Sequence, residues 1–320
     1  MGSKALFAAL DLNLFDLMSD EPQSTQSLSD LTTIAPNRLS TLLAVLESLG
    51  LVVRGAELYR NAPATQKYLV RSTETFFGDY YRLQIDKLMY PQMIGLTDGL
   101  RGHPLESMRD MLADPAQAAL FTDAQHQGSI GPAVLLSRKV DLTGRRNLLD
   151  VAGGSGVFSI VLCNRYESLR STIIDFPKVI DVARRFIASA GLDDRIAVVG
   201  GDALETAWPS NQDVVLMSYL LSAVGGSDIP RLLRLAFDAL APGGMLIVHD
   251  FMLEEDQAGP REAAQFFLSY IAQRTDSVSF TGSNIAEAAR KVGFGDGRSD
   301  ALIPGLTGIV VAGKERARNT

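Results

Sequence analysis

The chain has little cysteine, little histidine and no excess of positive charge. One cysteine, Cys163, stands among 320 residues, so no disulfide can form within the chain. That usage fits a reducing compartment, and a cytoplasmic setting is expected. Cys163 lies in an apolar helical run and reads as a small buried hydrophobe. Only three histidines occur, His103, His126 and His249, and no metal-ligand spacing links them, so no metal is expected. The formal net charge is −7, which argues against a nucleic-acid partner and against anionic membrane surfaces. No apolar run reaches the ~20 residues of a membrane span. Met1-Gly2-Ser3-Lys4 leads straight into a helical pattern, without a signal-peptide layout. Hydrophobic residues make up 46% and charged residues 21%, ordinary values for a globular chain long enough for two domains or one large one.

What the chain does have is a glycine cluster directly behind an apolar run. Leu148-Leu149-Asp150-Val151-Ala152 is followed by Gly153-Gly154-Ser155-Gly156, and then by the helical stretch Val157-Phe158-Ser159-Ile160-Val161-Leu162. Strand, tight turn, helix is the local plan of a nucleotide site at the C-terminal end of a parallel sheet. The glycines let backbone approach a ligand, and the helix start offers unpaired N–H groups. The spacing departs from the dinucleotide pattern, because Ser159 stands where G-x-G-x-x-G wants its third glycine. Asp150 at the strand end would repel a pyrophosphate but suits an ammonium or a sulfonium. S-adenosylmethionine (SAM) is therefore favoured over NAD. A turn with no ligand is the alternative at this point.

From Asn147 onward strands and helices alternate. Strands are expected at 147–151, 172–175, 196–199, 214–219, 245–249, 301–303 and 308–312, with helices at 179–190, 229–241 and 284–292. Such alternation implies a largely parallel sheet covered on both faces. Only Pro304 to Thr307 joins the last two strands, too short for a parallel crossover, so they pair antiparallel. The fold class is α/β, a Rossmann-like seven-stranded sheet. Asp175, 19 residues past Gly156, closes the second strand, where an acid accepts from both ribose hydroxyls. Asp202 closes the third, where a carboxylate accepts from an adenine amino group. Ser218, at the end of the fourth strand, is placed with them, as are Gly153, Gly154 and Gly156. Each acid alone reads more readily as a loop acid or helix cap; together they fall on one sheet edge.

The N-terminal part is mainly helical. Residues 5–18 carry apolar residues at helical spacing. A short helix at 27–31, a leucine-rich helix from Pro36 ended by Gly50, and strands 51–53 and 58–59 around Gly55 make a winged-helix pattern. Between Ser24 and Asn61, Arg38, Arg54 and Arg60 are cancelled by Asp30, Glu47 and Glu57. Leucines (Leu39, Leu42, Leu43, Leu46, Leu49) occupy the positions where base-reading side chains would be needed. The unit reads as a packing and dimerisation module. A helical stretch at 76–100, broken at Pro91, bears Phe77, Tyr80, Tyr81, Tyr90 and Met93, either core or the wall of a cleft between domains. Another at 110–136 contains Phe121 and His126 and is interrupted by Gly128 and Gly131-Pro132. Domains are expected at 1–105 and 106–320.

These marks resemble the SAM-dependent O-methyltransferases of the caffeate and hydroxyindole (acetylserotonin) type. The resemblance rests on the N-terminal winged helix, Asp150 to Gly156, Asp175-Phe176-Pro177, Gly201-Asp202, Ala241-Pro242-Gly243-Gly244 and Val292-Gly293-Phe294, and spans nearly the whole chain. It implies SAM on the C-terminal domain and a homodimer built on the N-terminal one. The family carries a further helical stretch ahead of the equivalent of Ala5, so a reduced dimer interface is expected here. It also implies a His-Asp-Trp motif after the fourth strand, whose His takes the proton from a substrate hydroxyl. Laid on this chain, the motif falls on Ser222-Ala223-Val224: the His is replaced by Ser222. The first orienting carboxylate matches Asp250; the second falls near Ser279.

A phenol with a pKa of about 10 stays protonated at pH 7, and a positioned base contributes about 10²–10⁴-fold. Three accounts follow: an acceptor that is already ionised, another histidine as base, or SAM binding without methyl transfer, as in pericyclase- or hydroxylase-type relatives. His249 beside Asp250 is one base candidate, although strand alternation points neighbours to opposite sides, and a His hydrogen-bonded behind the sheet is the other reading. His126 is the second candidate, as a substrate-facing residue; His103 sits in a turn. Phe121, Phe267, Tyr270 and Ser222 are expected to line the acceptor pocket, with core packing as the alternative for each aromatic. The expected activity is methylation of a hydrophobic, aromatic or polyketide-like metabolite. A non-methylating SAM-binding enzyme and a SAM-sensing winged-helix regulator are the alternatives, the last disfavoured by the neutral, leucine-rich helix.

Overall fold

The computed structural model describes residues 1–103 and 107–315. The chain divides into two compact units, Met1–Pro91 and Gln92–Thr320. The boundary expected at 105/106 lies outside the described residues.

The first unit contains helices α1 (Gly2–Asp11), α2 (Leu14–Leu17), α3 (Thr25–Thr32), α4 (Pro36–Ser48) and α5 (Pro63–Tyr68), strands β1 (Gln23–Ser24), β2 (Val52–Gly55) and β3 (Leu58–Asn61), and a π-helical stretch Tyr80–Met89. Ser24 caps α3 by accepting from Ser27 N–H at 3.0 Å. Pro36 opens α4, where its missing N–H costs nothing. Leu39, Leu43 and Leu46 of α4 are fully buried against Leu14, Phe15 and Leu28, whereas Leu49 at the helix end is exposed. The three strands form an antiparallel sheet in the order β1-β3-β2. The aromatic stripe of 76–100 splits between the units. Phe77, Tyr80 and Tyr81 pack on one another within the first, with ring centroids 4.9 to 5.9 Å apart.

The second unit begins with α6 (Tyr90–Ile94), which straddles the boundary, then α7 (Leu96–Leu100), α8 (Met108–Ala113) and α9 (Pro115–Lys139). Gly99 brings α7 onto the backbone of a later helix: an added Cβ would lie 2.9 Å from the Ile271 carbonyl oxygen. Helix α9 corrects the expected interruption, for it runs unbroken through Gly128, Gly131 and Pro132. Pro132, Ala133 and Leu136 are buried on its inner face, and that tertiary packing outweighs the weak helix propensity of these residues.

The rest is the seven-stranded α/β sheet. In chain order come β4 (Asn147–Val151), α10 (Val157–Arg165), β5 (Arg170–Asp175), α11 (Pro177–Ser189), β6 (Ile196–Gly200), β7 (Gln212–Ser218), α12 (Asp228–Ala239), β8 (Leu240–Phe251), α13 (Arg261–Gln273), α14 (Gly282–Val292), β9 (Arg298–Ile303) and β10 (Thr307–Gly313). The sheet order is β6-β5-β4-β7-β8-β10-β9. The first five strands of that order are parallel, and β10 pairs antiparallel with both β8 and β9. Leu149, Val151, Val215, Met217 and Val248 face one apolar layer; Leu148, Val214, Leu216, Ile247 and Ile309 face the other. Alternation along each strand thus fills both faces. It also brings the C-terminal ends of five parallel strands to one edge, where β4 and β7 part to either side of the chain's turning point.

Candidate active site

The edge is built from the glycine turn outward. Ala152, Gly154 and Gly156 all have positive φ, at 54°, 58° and 80°, so the chain turns sharply between the end of β4 and the start of α10. A Cβ on Gly154 would meet only open space, whereas one on Gly153 would lie 2.8 Å from the Asp150 Cγ. Gly153 therefore closes over Asp150. Asp150 is fully buried beneath the turn, with its Oδ1 left without a partner. Ser159 Oγ donates to Asp150 Oδ2 at 2.6 Å and lies 2.8 Å from Ser171 Oγ. Ser159 has a single proton, so Ser171 donates to it. This explains the departure from G-x-G-x-x-G: the third-glycine position carries the hydroxyl that holds the strand-end acid. Burial pushes the Asp150 carboxyl up to about 6.

Asp175 reaches from β5 toward the turn. Its Oδ2 accepts from Gly154 N–H at 2.8 Å and its Oδ1 from Phe176 N–H at 2.7 Å. Burial lifts its carboxyl to about 6 against these two bonds. Each carboxylate oxygen keeps a further lone pair for a ligand hydroxyl. Asp202 follows β6; its Oδ1 accepts from Leu204 N–H at 2.8 Å. Its Oδ2 meets Arg109 Nη2 of α8 at 2.7 Å. Arg109 was not identifiable in the sequence, because nothing local links position 109 to position 202.

The two candidate bases lie apart from each other and from Asp250. His126 of α9 shares a 2.8 Å hydrogen bond between its Nδ1 and Ser155 Oγ of the turn, and stacks on Phe186 at 3.8 Å. Burial pulls its pKa down to about 4. The bond ties α9 to the glycine turn. Phe121 sits on the same helix five residues earlier, about 140° round the axis from His126, and is half-buried. His249 is 0% exposed. Its Nδ1 lies 2.8 Å from Ser218 Oγ, and its ring packs against Tyr219 at 4.5 Å and Phe158 at 5.5 Å. Nε2 has no partner, so the tautomer with its proton on Nδ1, donated to Ser218, leaves only a lone pair orphaned. Burial pulls this imidazole down to about 3. Ser218 is thereby occupied from behind.

Strand alternation sends Asp250 to the opposite face from His249. Its Oδ2 accepts from Ser222 N–H at 3.0 Å and its Oδ1 from Phe251 N–H at 2.8 Å, and burial lifts its carboxyl to about 6. It fastens the single 3₁₀ turn Leu221–Ala223 that carries Ser222. Ser222 bears on both the Asp250 carboxyl and the Tyr270 hydroxyl, yet its Oγ completes no hydrogen bond of good geometry. Aromatic rings surround this cluster. Phe251 stacks on Phe266 at 4.1 Å and lies 5.0 Å from Tyr219 and 6.5 Å from Tyr270. Phe267 turns into the core, edge-on to Phe280 at 5.0 Å, and borders a cleft of about 510 Å³ that Ser279 also lines. Tyr219 holds a positive φ of 55° at the end of β7, a conformation a bulky residue adopts only where its surroundings enforce it.

Residues 84–295 match the O-methyltransferase domain and residues 1–71 the O-methyltransferase dimerisation domain. Over 98% of its length the chain is 28% identical to the 3-hydroxy-5-methyl-1-naphthoate 3-O-methyltransferase of Streptomyces sahachiroi, 92% of which is covered. Over 94% of its length it is 27% identical to the tetracenomycin polyketide synthesis 8-O-methyl transferase of Streptomyces glaucescens, 90% of which is covered. Human N-acetylserotonin methyltransferase, solved in complex with SAM, shares the fold with a TM-score of 0.85 at 21% identity, over 98% of this chain and 95% of that one. With a seven-stranded sheet, a glycine turn with an acid at each neighbouring strand end, and these matches along its length, the chain belongs to the O-methyltransferase family and is a SAM-dependent methyltransferase.

Proposed function

We propose that the chain methylates an oxygen of a hydrophobic, aromatic or polyketide-like secondary metabolite, and that it works as a homodimer through its dimerisation domain. The observation that carries the acceptor class is the set of rings around Asp250 and Ser222: Tyr219, Phe251, Phe266 and Tyr270 offer flat apolar surface to a flat apolar molecule. The two Streptomyces relatives are named for a naphthoate and for tetracenomycin polyketide synthesis, which supports the same class.

SAM supplies a methyl group on a sulfonium, a strong electrophile that needs only a well-placed nucleophile. The residues of this chain do the placing. The Gly153 to Gly156 turn gives the methionine end its backbone approach. Asp175, anchored by Gly154 N–H, presents its spare lone pairs to the ribose hydroxyls, and Asp202 does so to the adenine amino group. Ser218 closes the strand end next to them. Asp150 supports the turn from below, His126 braces it from the side through Ser155, and His249 props Ser218 from the far face. Asp250 holds the turn on which Ser222 meets the acceptor, with Tyr270 beside it, Phe121 as further wall and Phe267 backing the wall from the core.

The test is incubation of the purified protein with methyl-labelled SAM and a panel of hydroxylated naphthoates and polycyclic polyketides. The expected result is label in an extractable, O-methylated product. Conversion of an acceptor without label would sink methylation, and absence of SAM binding by calorimetry would sink the whole assignment.

A further inference from the structure

Among the described residues, the polar cluster at the end of β8 lacks a proton acceptor open to a substrate. Asp250 is 0% exposed, and its two oxygens accept the backbone N–H groups of Ser222 and Phe251. Those acting on its charge are the backbone of Leu221, Ser222 and Phe251 and the Ser222 side chain; those acting on Tyr270 are Asp250 and Ser222. Tyr219 is the other phenol at this end, packed on Phe251. His249, the neighbour on the strand, bonds Ser218 on the opposite face. A general base must present a lone pair to the proton it takes, and serine and tyrosine hydroxyls keep their own protons at neutral pH. Burial raises the Tyr270 pKa further. What the cluster does offer is hydroxyl donors: Ser222 Oγ, buried between the Asp250 carboxyl and the Tyr270 hydroxyl and completing no hydrogen bond of good geometry to either, and the Tyr270 hydroxyl itself.

We propose that the acceptor enters as an oxyanion, such as a carboxylate, an acidic enol or an acidic phenol, and that the Ser222 and Tyr270 hydroxyls receive it, with Asp250 as the positioning residue of Ser222. The proposal rests on the O-methylation reading above and specifies its substrate class. An oxyanion lone pair forms the new O–CH₃ bond while the S–CH₃ electrons pass to sulfur. One negative and one positive charge disappear together, and no proton has to leave.

Two measurements test this. In the first, kcat/KM is followed from pH 5.5 to 9 for a carboxylic or strongly acidic enol acceptor and for a simple phenol. The acidic acceptor is expected to give a flat profile from pH 7 to 9, with a fall toward pH 5.5 as Asp175 and Asp250, lifted to about 6, take up protons. The phenol, with a pKa of about 10, is expected to gain about tenfold per pH unit as its ionised fraction rises. A phenol profile that levels off near neutrality would show an enzyme base and overturn the proposal. The second measurement needs no turnover. A chromophoric phenol that ionises near neutrality is titrated with the protein saturated with S-adenosylhomocysteine. The bound phenol is expected to ionise about one pH unit below the free one, with that shift lost in Tyr270→Phe and in Ser222→Ala. A bound spectrum of the neutral phenol at the pH where the free one is half-ionised overturns the proposal. Should Ser222→Ala not fold, Tyr270→Phe carries the comparison. Failure of the methylation reading has a different signature: no label reaches any acceptor at any pH, whatever the phenol spectrum does.

Discussion

The two ends of the sheet edge are made of different material. Around β4 and β5 the site is backbone: three positive-φ positions, and a carboxylate that takes its partners from Gly154 and Phe176 N–H. Around β7 and β8 it is side chain: the Phe251–Phe266 stack, with Tyr219 and Tyr270 beside it, over Asp250 and Ser222. Backbone geometry of this kind tolerates little substitution and suits a ligand that never changes. Ring walls tolerate exchange and suit one that differs between relatives. Cofactor and acceptor are then expected to respond separately: a substitution in one half should leave the other half's ligand bound as before.

The largest effect is expected at the backbone half. Gly153→Ala would place a methyl 2.8 Å from Asp150 Cγ and 2.9 Å from Ile173 Cγ2. Overpacking there costs about 1–3 kcal/mol, and SAM affinity should fall about 10- to 100-fold by calorimetry. Unchanged affinity would mean that the closure over Asp150 is not needed. Asp250→Asn strikes the other half. It gives one backbone N–H an amide donor instead of an acceptor, a loss of about 1–3 kcal/mol. Methyl transfer should slow up to about 100-fold as the Ser222 turn loosens, with SAM affinity retained. A parallel loss of SAM affinity would break the separation.

A smaller effect concerns pH. His249 ionises at about 3 in the fold against an ordinary 6.5, so the unfolded chain takes up its proton first as pH falls. The stability is fully present above about 6.5 and is lost as the pH drops toward 3. Asp150, Asp175 and Asp250, lifted to about 6, work in the opposite sense between pH 6 and 4, equally in wild type and variant. Urea midpoints at pH 7 and 5 should therefore show His249→Gln losing about 2 kcal/mol less than wild type between them. Identical pH slopes would count against a neutral, structural His249. The smallest effect is expected at Arg109, whose side chain is 56% exposed. Arg109→Ala should change stability by less than about 1 kcal/mol. By freeing Asp202 Oδ2 it should tighten SAM binding by no more than about fivefold, and most visibly at low salt. Weaker binding would instead make Arg109 part of the adenine site.

Legibility followed the same division. The strand at 147–151 agrees with the structure to the residue, and the antiparallel closing pair followed from a loop too short for anything else. Helix α9 departs from the sequence reading, because Gly128, Gly131 and Pro132 are local breakers whose effect is outweighed by burial of Ser129, Pro132, Ala133 and Leu136 against the rest of the unit. Arg109 was silent because its partner lies far away in sequence. His126 and His249 stand out in the sequence as rare titratable groups, but their partners Ser155 and Ser218 lie 29 and 31 positions away and only the fold pairs them.

By itself the sequence determined the sheet, the glycine turn and the acids at the strand ends, because period, turn chemistry and strand-end spacing are local and act on adjacent residues. Only the tertiary structure decided which acids face outward: Asp150 lies beneath Gly153 while Asp175 meets Gly154 N–H. It likewise decided that Ser222, Tyr270 and Asp250 converge while His249 turns away. Those outcomes depend on burial and on which face of a strand a side chain takes, and both are set by segments distant in the chain.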